Sequence, residues 1–122
     1  MVKLSPVFDS DVLIRALNGT ETVQARELLL SGEQLPISVV TWMEVMAGAT
    51  PETEQGTRRF LARFVVKNIT PEIAEEAVRL RKALRLKLPD AIIYATALTS
   101  GRMLATFNTR DFPAGMASVL AL

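Results

Sequence analysis

The chain has no cysteine and no histidine among its 122 residues. Without Cys there is no disulfide framework and no thiolate nucleophile. Without His there is no Ser-His-Asp or Cys-His catalysis and no His-ligated zinc. Any metal must be held by oxygen, which favours Mg²⁺ or Mn²⁺. No apolar run approaches the ~20 residues of a membrane span. The start of the chain lacks the charged, apolar and small-residue pattern of a signal peptide. A cytoplasmic protein with no membrane partner is therefore expected. Aspartate is also scarce: Asp9, Asp11, Asp90 and Asp111 are the only four, with none between residues 11 and 90.

Apolar residues make up 49% of the chain, and 122 residues suffice for one domain with a real core, hardly for two. A single domain over residues 1–122 is expected. The net charge of +1 hides an asymmetry. Residues 58–87 carry nine basic side chains against three acids, Glu72, Glu75 and Glu76. Such a run is either a solvated helical face or a surface for a polyanion. Arg81, Lys82 and Arg85 are the candidates for contact with such a polyanion, because they fall off the apolar stripe of their helix.

Short strands alternate with helices along the chain. Residues 2–8 end in an apolar run that reads as a strand, with a late start or an edge position imposed by Pro6. Residues 10–17 read as a short helix broken at Asn18-Gly19, and residues 21–30 as another, with Gly32 after its end. Residues 37–40 are a β-branched run, followed by a helical stretch from Trp42 to Ala47. Thr50-Pro51-Glu52 and Thr70-Pro71-Glu72 each combine an N-cap, an early Pro and a first-turn acid. The first predicts a helix to about Phe64, followed by a strand over residues 64–68. The second opens a helix whose apolar stripe is Ile73, Ala77, Leu80 and Leu84. Pro89 opens a nearly all-apolar helix ending at Gly101. Strands are expected at residues 103–106 and 118–121. This alternation predicts an α/β fold with a mainly parallel sheet. Ligands of such sheets sit at the carboxyl ends of the strands. Asp9 and Asp111 both follow strands.

Each acid has an ordinary explanation. Asp9 or Asp11 could cap a helix, Asp90 could complement a helix dipole, and Asp111 could be a loop residue. Glu44, in "VVTWMEVMAG", could face solvent from an amphipathic helix. Together they suggest one pocket. Several carboxylates crowd together only when a cation neutralises them. Mg²⁺ does so with few protein ligands, and the resulting site can activate water against a phosphodiester. Trp42, Phe60, Phe64 and Tyr94 read as core or dimer packing.

The stretches "VFDSDVLI", "VVTWMEVMAG", "LPDAIIYATAL" and "LATFNTRDF", in that order, resemble PIN-domain nucleases, specifically the VapC-like toxins of toxin–antitoxin pairs. Each motif is short, and the specificity lies in the ordered set, which spans nearly the whole chain. The resemblance implies a PIN-like three-layer α/β/α sandwich that usually dimerises. It implies a Mg²⁺-dependent endoribonuclease, with Mn²⁺ as a substitute, acting on RNA such as transfer or ribosomal RNA. It further implies a cognate antitoxin that blocks the acidic pocket. Carried over by motif, the catalytic acids are Asp9, Glu44, Asp90 and Asp111, with Asp9 and Asp90 holding the metal. Ser10, Thr106 and Asn108 are supporting polar groups, and either Asn108 or Asp111 is the fourth corner. Asp11 matches a helix-capping or supporting position rather than an essential ligand.

Asp9-x-Asp11 also resembles the first motif of dehalogenase-type phosphatases. That chemistry needs a later Lys and a downstream acidic pair. The last Lys is Lys87, and only single acids, Asp90 and Asp111, follow it. A phosphoacceptor receiver domain would need a Lys near its last strand and a mid-chain Asp, and neither is present. A PIN-like RNA- or protein-binding module without catalysis is the remaining alternative.

Overall fold

The computed structural model describes residues 4–31 and 34–122. Its elements run β1 (Val7–Phe8), α1 (Ser10–Leu17), α2 (Val23–Leu29), β2 (Leu35–Ser38), α3 (Val39–Ala47), α4 (Glu54–Leu61), β3 (Phe64–Lys67), α5 (Pro71–Leu84), α6 (Leu88–Thr99), β4 (Leu104–Thr106) and β5 (Val119–Ala121). All pairings are parallel. β4 lies between β1 and β5, with Phe8 opposite Ala105, and β2 pairs with β3. β2 also runs against β1, so the two ladders abut.

Alternating strand residues feed two cores, which is what makes the fold three layers deep. Val7 and Leu104 point to one side, where Ile73, Ala77 and Leu80 of α5 pack with Ile93, Tyr94 and Ala97 of α6 and with Phe112. Phe8 and Ala105 point to the other side, against Val12 and Leu13 of α1, Ala25 and Leu29 of α2, Val45, Leu61 and Phe64. Edge-to-face aromatic pairs lock each core. Tyr94 and Phe112 have centroids 5.4 Å apart, and Phe60 and Phe64 5.3 Å. The Tyr94 hydroxyl donates to the Ala117 carbonyl. Among the described residues no helix is long and apolar enough to cross a membrane.

Local signals place most elements. α1 occupies the span that Asn18-Gly19 was expected to close. The Thr70 hydroxyl accepts from Ile73 N at 3.2 Å, and Pro71 opens α5 as its composition predicts. β1 starts after Pro6, and β3, β4 and β5 fall within a residue of expectation. Other boundaries differ. The β-branched pair Val39-Val40 belongs to α3 rather than to β2, because the Ser38 hydroxyl accepts from Val40 N at 3.1 Å and caps a helix there. Thr50-Pro51-Glu52 does not open α4. It forms a turn in which Thr50 N donates to Thr53 Oγ1 at 2.8 Å, and α4 begins only at Glu54 and stops at Leu61. Leu84 leaves the stripe of its helix and is 44% exposed. α2 starts at Val23 behind Thr22, and Gly32, expected after its end, lies outside the described residues.

Candidate active site

The parallel pairing of β1 with β4 brings the segments that follow them, with Asp9, Ser10 and Asp11 on one and Thr106 and Asn108 on the other, side by side. Asp9 follows β1 directly, and its backbone N–H donates to Ala105 O at 2.9 Å. Its side chain caps α1 by accepting from Ser10 N at 2.8 Å, so it is a helix cap and a member of the cluster at once. Its second oxygen accepts from the Thr106 hydroxyl at 2.7 Å. Thr106 in turn accepts from Asn108 N at 2.9 Å. This chain of bonds fixes Asp9 although the group is only 5% exposed.

Glu44 reaches the site from α3. Its Oε1 accepts from the Ser10 hydroxyl at 2.6 Å, and Ser10 lies 3.3 Å from the Thr41 hydroxyl. The residue itself is exposed. Asp111 is held by Asn108, whose Nδ2 donates to Asp111 Oδ2 at 3.0 Å while Asp111 N donates back to Asn108 Oδ1 at 3.2 Å. The two residues are therefore one unit. Asp90 sits in the first turn of α6, half-buried, with Pro89 beside it. Asp11 is half-buried on α1 and accepts from Phe107 N at 3.4 Å. The cap on α1 is Asp9, and Asp11 occupies its first turn.

The electrostatics show convergence. Burial raises the Asp9 carboxyl from its ordinary 3.8 to about 7, and the charges of Asp11 and Asp90 add to the rise, against its hydrogen bonds from Thr106 and Ser10. Burial also raises Asp90, with Asp111 and Glu44 pushing the same way and Lys87 opposing them. Asp11 is raised by burial, against the Phe107 N–H and the Arg15 charge. Among the described residues none of these acids has a Lys or Arg nitrogen within 4.0 Å. The site is a concentration of negative charge that Lys87 and Arg15 offset only from a distance, without a direct ion pair among the described residues.

That arrangement bears on metal binding. Among the described residues no three acids stand close enough to form a ready-built cage. Mg²⁺ does not need one: it takes one or two carboxylates and keeps waters or substrate oxygens in its other positions. A buried carboxylate without a cation partner, flanked by two more acids, fits such an ion.

The RNA-contact candidates are not among the charges that act on Asp9, Asp11 or Asp90. Arg81, Lys82 and Arg85 are exposed on α5 and at its end. The basic run is also weaker than its count suggests, since Arg58 pairs with Glu54 and Arg79 with Glu76 on their own helices. Lys87, Arg15 and Phe107, three neighbours of the acids, were not singled out as site residues from the sequence. Lys87 occupies the N-cap position of α6, three residues before Asp90, without a side-chain cap bond. Arg15 lies four residues after Asp11, and its guanidinium sits 4.2 Å from the Phe107 ring centroid. The i, i+4 spacing of Asp11 and Arg15 was the available signal.

A three-layer parallel sheet with acids gathered beyond the carboxyl ends of β1 and β4 is the architecture of the PIN fold, and the chain belongs to the PIN domain family, whose pattern matches residues 7–114. Ribonuclease VapC10 of Mycobacterium tuberculosis is 38% identical over 113 residues, covering 86% of this chain and 84% of that protein. A chain of a toxin-antitoxin complex from Klebsiella pneumoniae matches with a TM-score of 0.85 and 44% identity, over 96% of this chain and 97% of that one. A chain of the DNA-bound VapBC from Salmonella typhimurium matches with a TM-score of 0.76 and 22% identity, over 100% and 98%. That last likeness speaks for the fold alone.

Proposed function

We propose that this protein is the ribonuclease toxin of a toxin–antitoxin pair, a single-domain, divalent-cation-dependent endoribonuclease acting in the cytoplasm. The observation that carries this reading is the mutual charge repulsion that links Asp9, Asp90, Glu44 and Asp111, with no Lys or Arg nitrogen within 4.0 Å of any of them among the described residues. Membership of the PIN family and the likeness to a protein named a ribonuclease support it.

Asp9 and Asp90 would hold the cation, Mg²⁺ or Mn²⁺. When bound, the ion supplies positive charge that offsets the carboxylates and polarises the phosphodiester. Glu44, with one oxygen occupied by Ser10, uses its other oxygen to accept the proton of the attacking water. Asp111 carries the charge of the fourth corner, and Asn108 holds it in place. Thr106 and the Ser10 backbone N–H keep Asp9 aimed. Water attack leaves 5′-phosphate and 3′-hydroxyl ends.

Partners follow from the same relatives. The Klebsiella pneumoniae chain comes from a toxin-antitoxin complex, and a cognate antitoxin is proposed here too. A groove of about 640 Å³ supports it: Ile14 and Leu17 of α1, Val45 of α3 and Thr57 and Arg59 of α4 line it, next to the helices that carry Asp11 and Glu44. A homodimer is the proposed assembly.

The test is cleavage of a total transfer-RNA pool in Mg²⁺, Mn²⁺ or EDTA, with Asp9→Asn and Asp90→Asn in parallel. Metal-dependent cutting that both variants lose is expected. Cutting that survives in both, or 2′,3′-cyclic phosphate ends, would overturn the mechanism. Absence of any cutting by the folded protein would favour a binding module.

A further inference from the structure

The Arg15–Phe107 pair is not used by the mechanism above. It is tied to the acid cluster through two connections. Arg15 follows Asp11 by one helical turn, so both leave the same face of α1. Phe107 follows Thr106, whose hydroxyl holds Asp9, and its own N–H donates to Asp11. The groups that fix the acids therefore also fix the ring.

The guanidinium carbon lies 4.2 Å from the ring centroid, within the range of a cation–π contact. Asp11 is a nearby carboxylate, yet Arg15 forms no ion pair within 4.0 Å and its guanidinium makes no hydrogen bond among the described residues. Arg15 is exposed, so its N–H edge is available to a ligand. An aromatic ring against the guanidinium restricts its freedom before anything binds, which reduces the ordering cost of recognition. The planar fork matches a phosphate.

The surrounding charge says what ligand this suits. The pocket repels a polyanion, so RNA approaching it needs cations on the rim. We propose that Arg15, seated on Phe107, holds an RNA backbone phosphate beside the one being cut. This rests on the nuclease reading above. A purely structural alternative exists, since a cation in the last turn of α1 also complements the helix dipole. A dipole role would leave RNA affinity and its salt dependence unchanged.

The experiment compares Arg15→Ala, Arg15→Lys and Phe107→Leu with the unaltered protein. Cleavage of the transfer-RNA pool is measured at varied salt, and thermal melts report folding. In an Asp90→Asn background, anisotropy of a short fluorescein-labelled single-stranded RNA reports binding without hydrolysis. Arg15→Ala should raise KM and Kd about tenfold with kcat unchanged. Its log Kd against log salt should be shallower by about 0.7, the loss of one phosphate contact. Arg15→Lys keeps the charge and hence the slope, but loses the fork and raises KM about threefold. Phe107→Leu should do the same, because the guanidinium loses its seat. Unchanged KM, Kd and slope in Arg15→Ala would overturn the proposal. A full effect in Arg15→Ala with none in Phe107→Leu would overturn the seated geometry. Failure of the nuclease reading is distinguishable: the unaltered protein would not cut, while the anisotropy series would still score Arg15.

Discussion

Replacing Asp9 by Asn should make the metal-free protein more stable at neutral and alkaline pH. Asp9 is buried beside other acids, and its carboxyl rises from 3.8 to about 7. Between those values the folded protein keeps the proton and the unfolded chain releases it. The folded state thus binds more protons, and stability falls as pH rises. The contribution is fully present below about pH 4 and is lost as pH rises through about 7. A displacement of that size corresponds to about 4 kcal/mol. Asn removes the charge but not all of the difficulty. One of its ends must face Ser10 N–H as an acceptor, so its NH₂ faces the Thr106 hydroxyl that now donates to Asp9. One hydrogen bond is compromised, at roughly 1 kcal/mol. The net gain should be about 3 kcal/mol at about pH 8, turning into a loss of roughly 1 kcal/mol at about pH 4. Urea unfolding of both proteins in EDTA across that range measures it. A difference between them that does not vary with pH would refute the claim that Asp9 is an uncompensated buried carboxylate.

Thr106→Val keeps the shape of the side chain and removes the donor to Asp9 and the acceptor of Asn108 N. It should destabilise the protein by about 2 kcal/mol and push the Asp9 carboxyl still higher, so that in EDTA the loss of stability on raising the pH is displaced to higher pH; a stability profile that stays in place would show that Thr106 does not hold the Asp9 carboxylate. Arg85 ends α5 with φ +57, a left-handed conformation unfavourable for a side chain. Arg85→Gly should stabilise the fold by about 1 kcal/mol in thermal melts. If Arg85 touches RNA, the same variant binds RNA more weakly, and unaltered affinity would remove it from that surface.

Much of this architecture is written in short stretches. Thr70-Pro71 opens α5 and Asn18-Gly19 closes α1 through contacts within a few residues, so composition alone reveals them. The alternation of strands and helices fixes a parallel α/β layout for the same reason. Boundaries set by competition were less legible. Val39 and Val40 favour a strand by propensity, yet one hydroxyl cap on Ser38 turns them into helix. Thr50-Pro51-Glu52 has the composition of a helix start, but Thr50 bonds to Thr53 in a turn. Leu84 fits the apolar stripe, yet it lies where α5 ends and no core remains to cover it.

The acids show the division most clearly. Their scarcity and their positions after strands or at a helix start marked Asp9, Asp90 and Asp111 as unusual, and the apolar surroundings marked Glu44. What the sequence by itself determined was which groups could do chemistry and the kind of fold that would carry them. Their arrangement came from pairings far apart in the chain. Thr106 holds Asp9 across 97 residues and Ser10 holds Glu44 across 34. Arg15 meets Phe107 only because β1 pairs with β4 in the register that sets Phe8 opposite Ala105. A local signal depends on a few neighbouring dihedrals and their hydrogen bonds. The charge environment of a buried carboxylate depends on how two packed cores hold the sheet between them, and that only the tertiary structure decided.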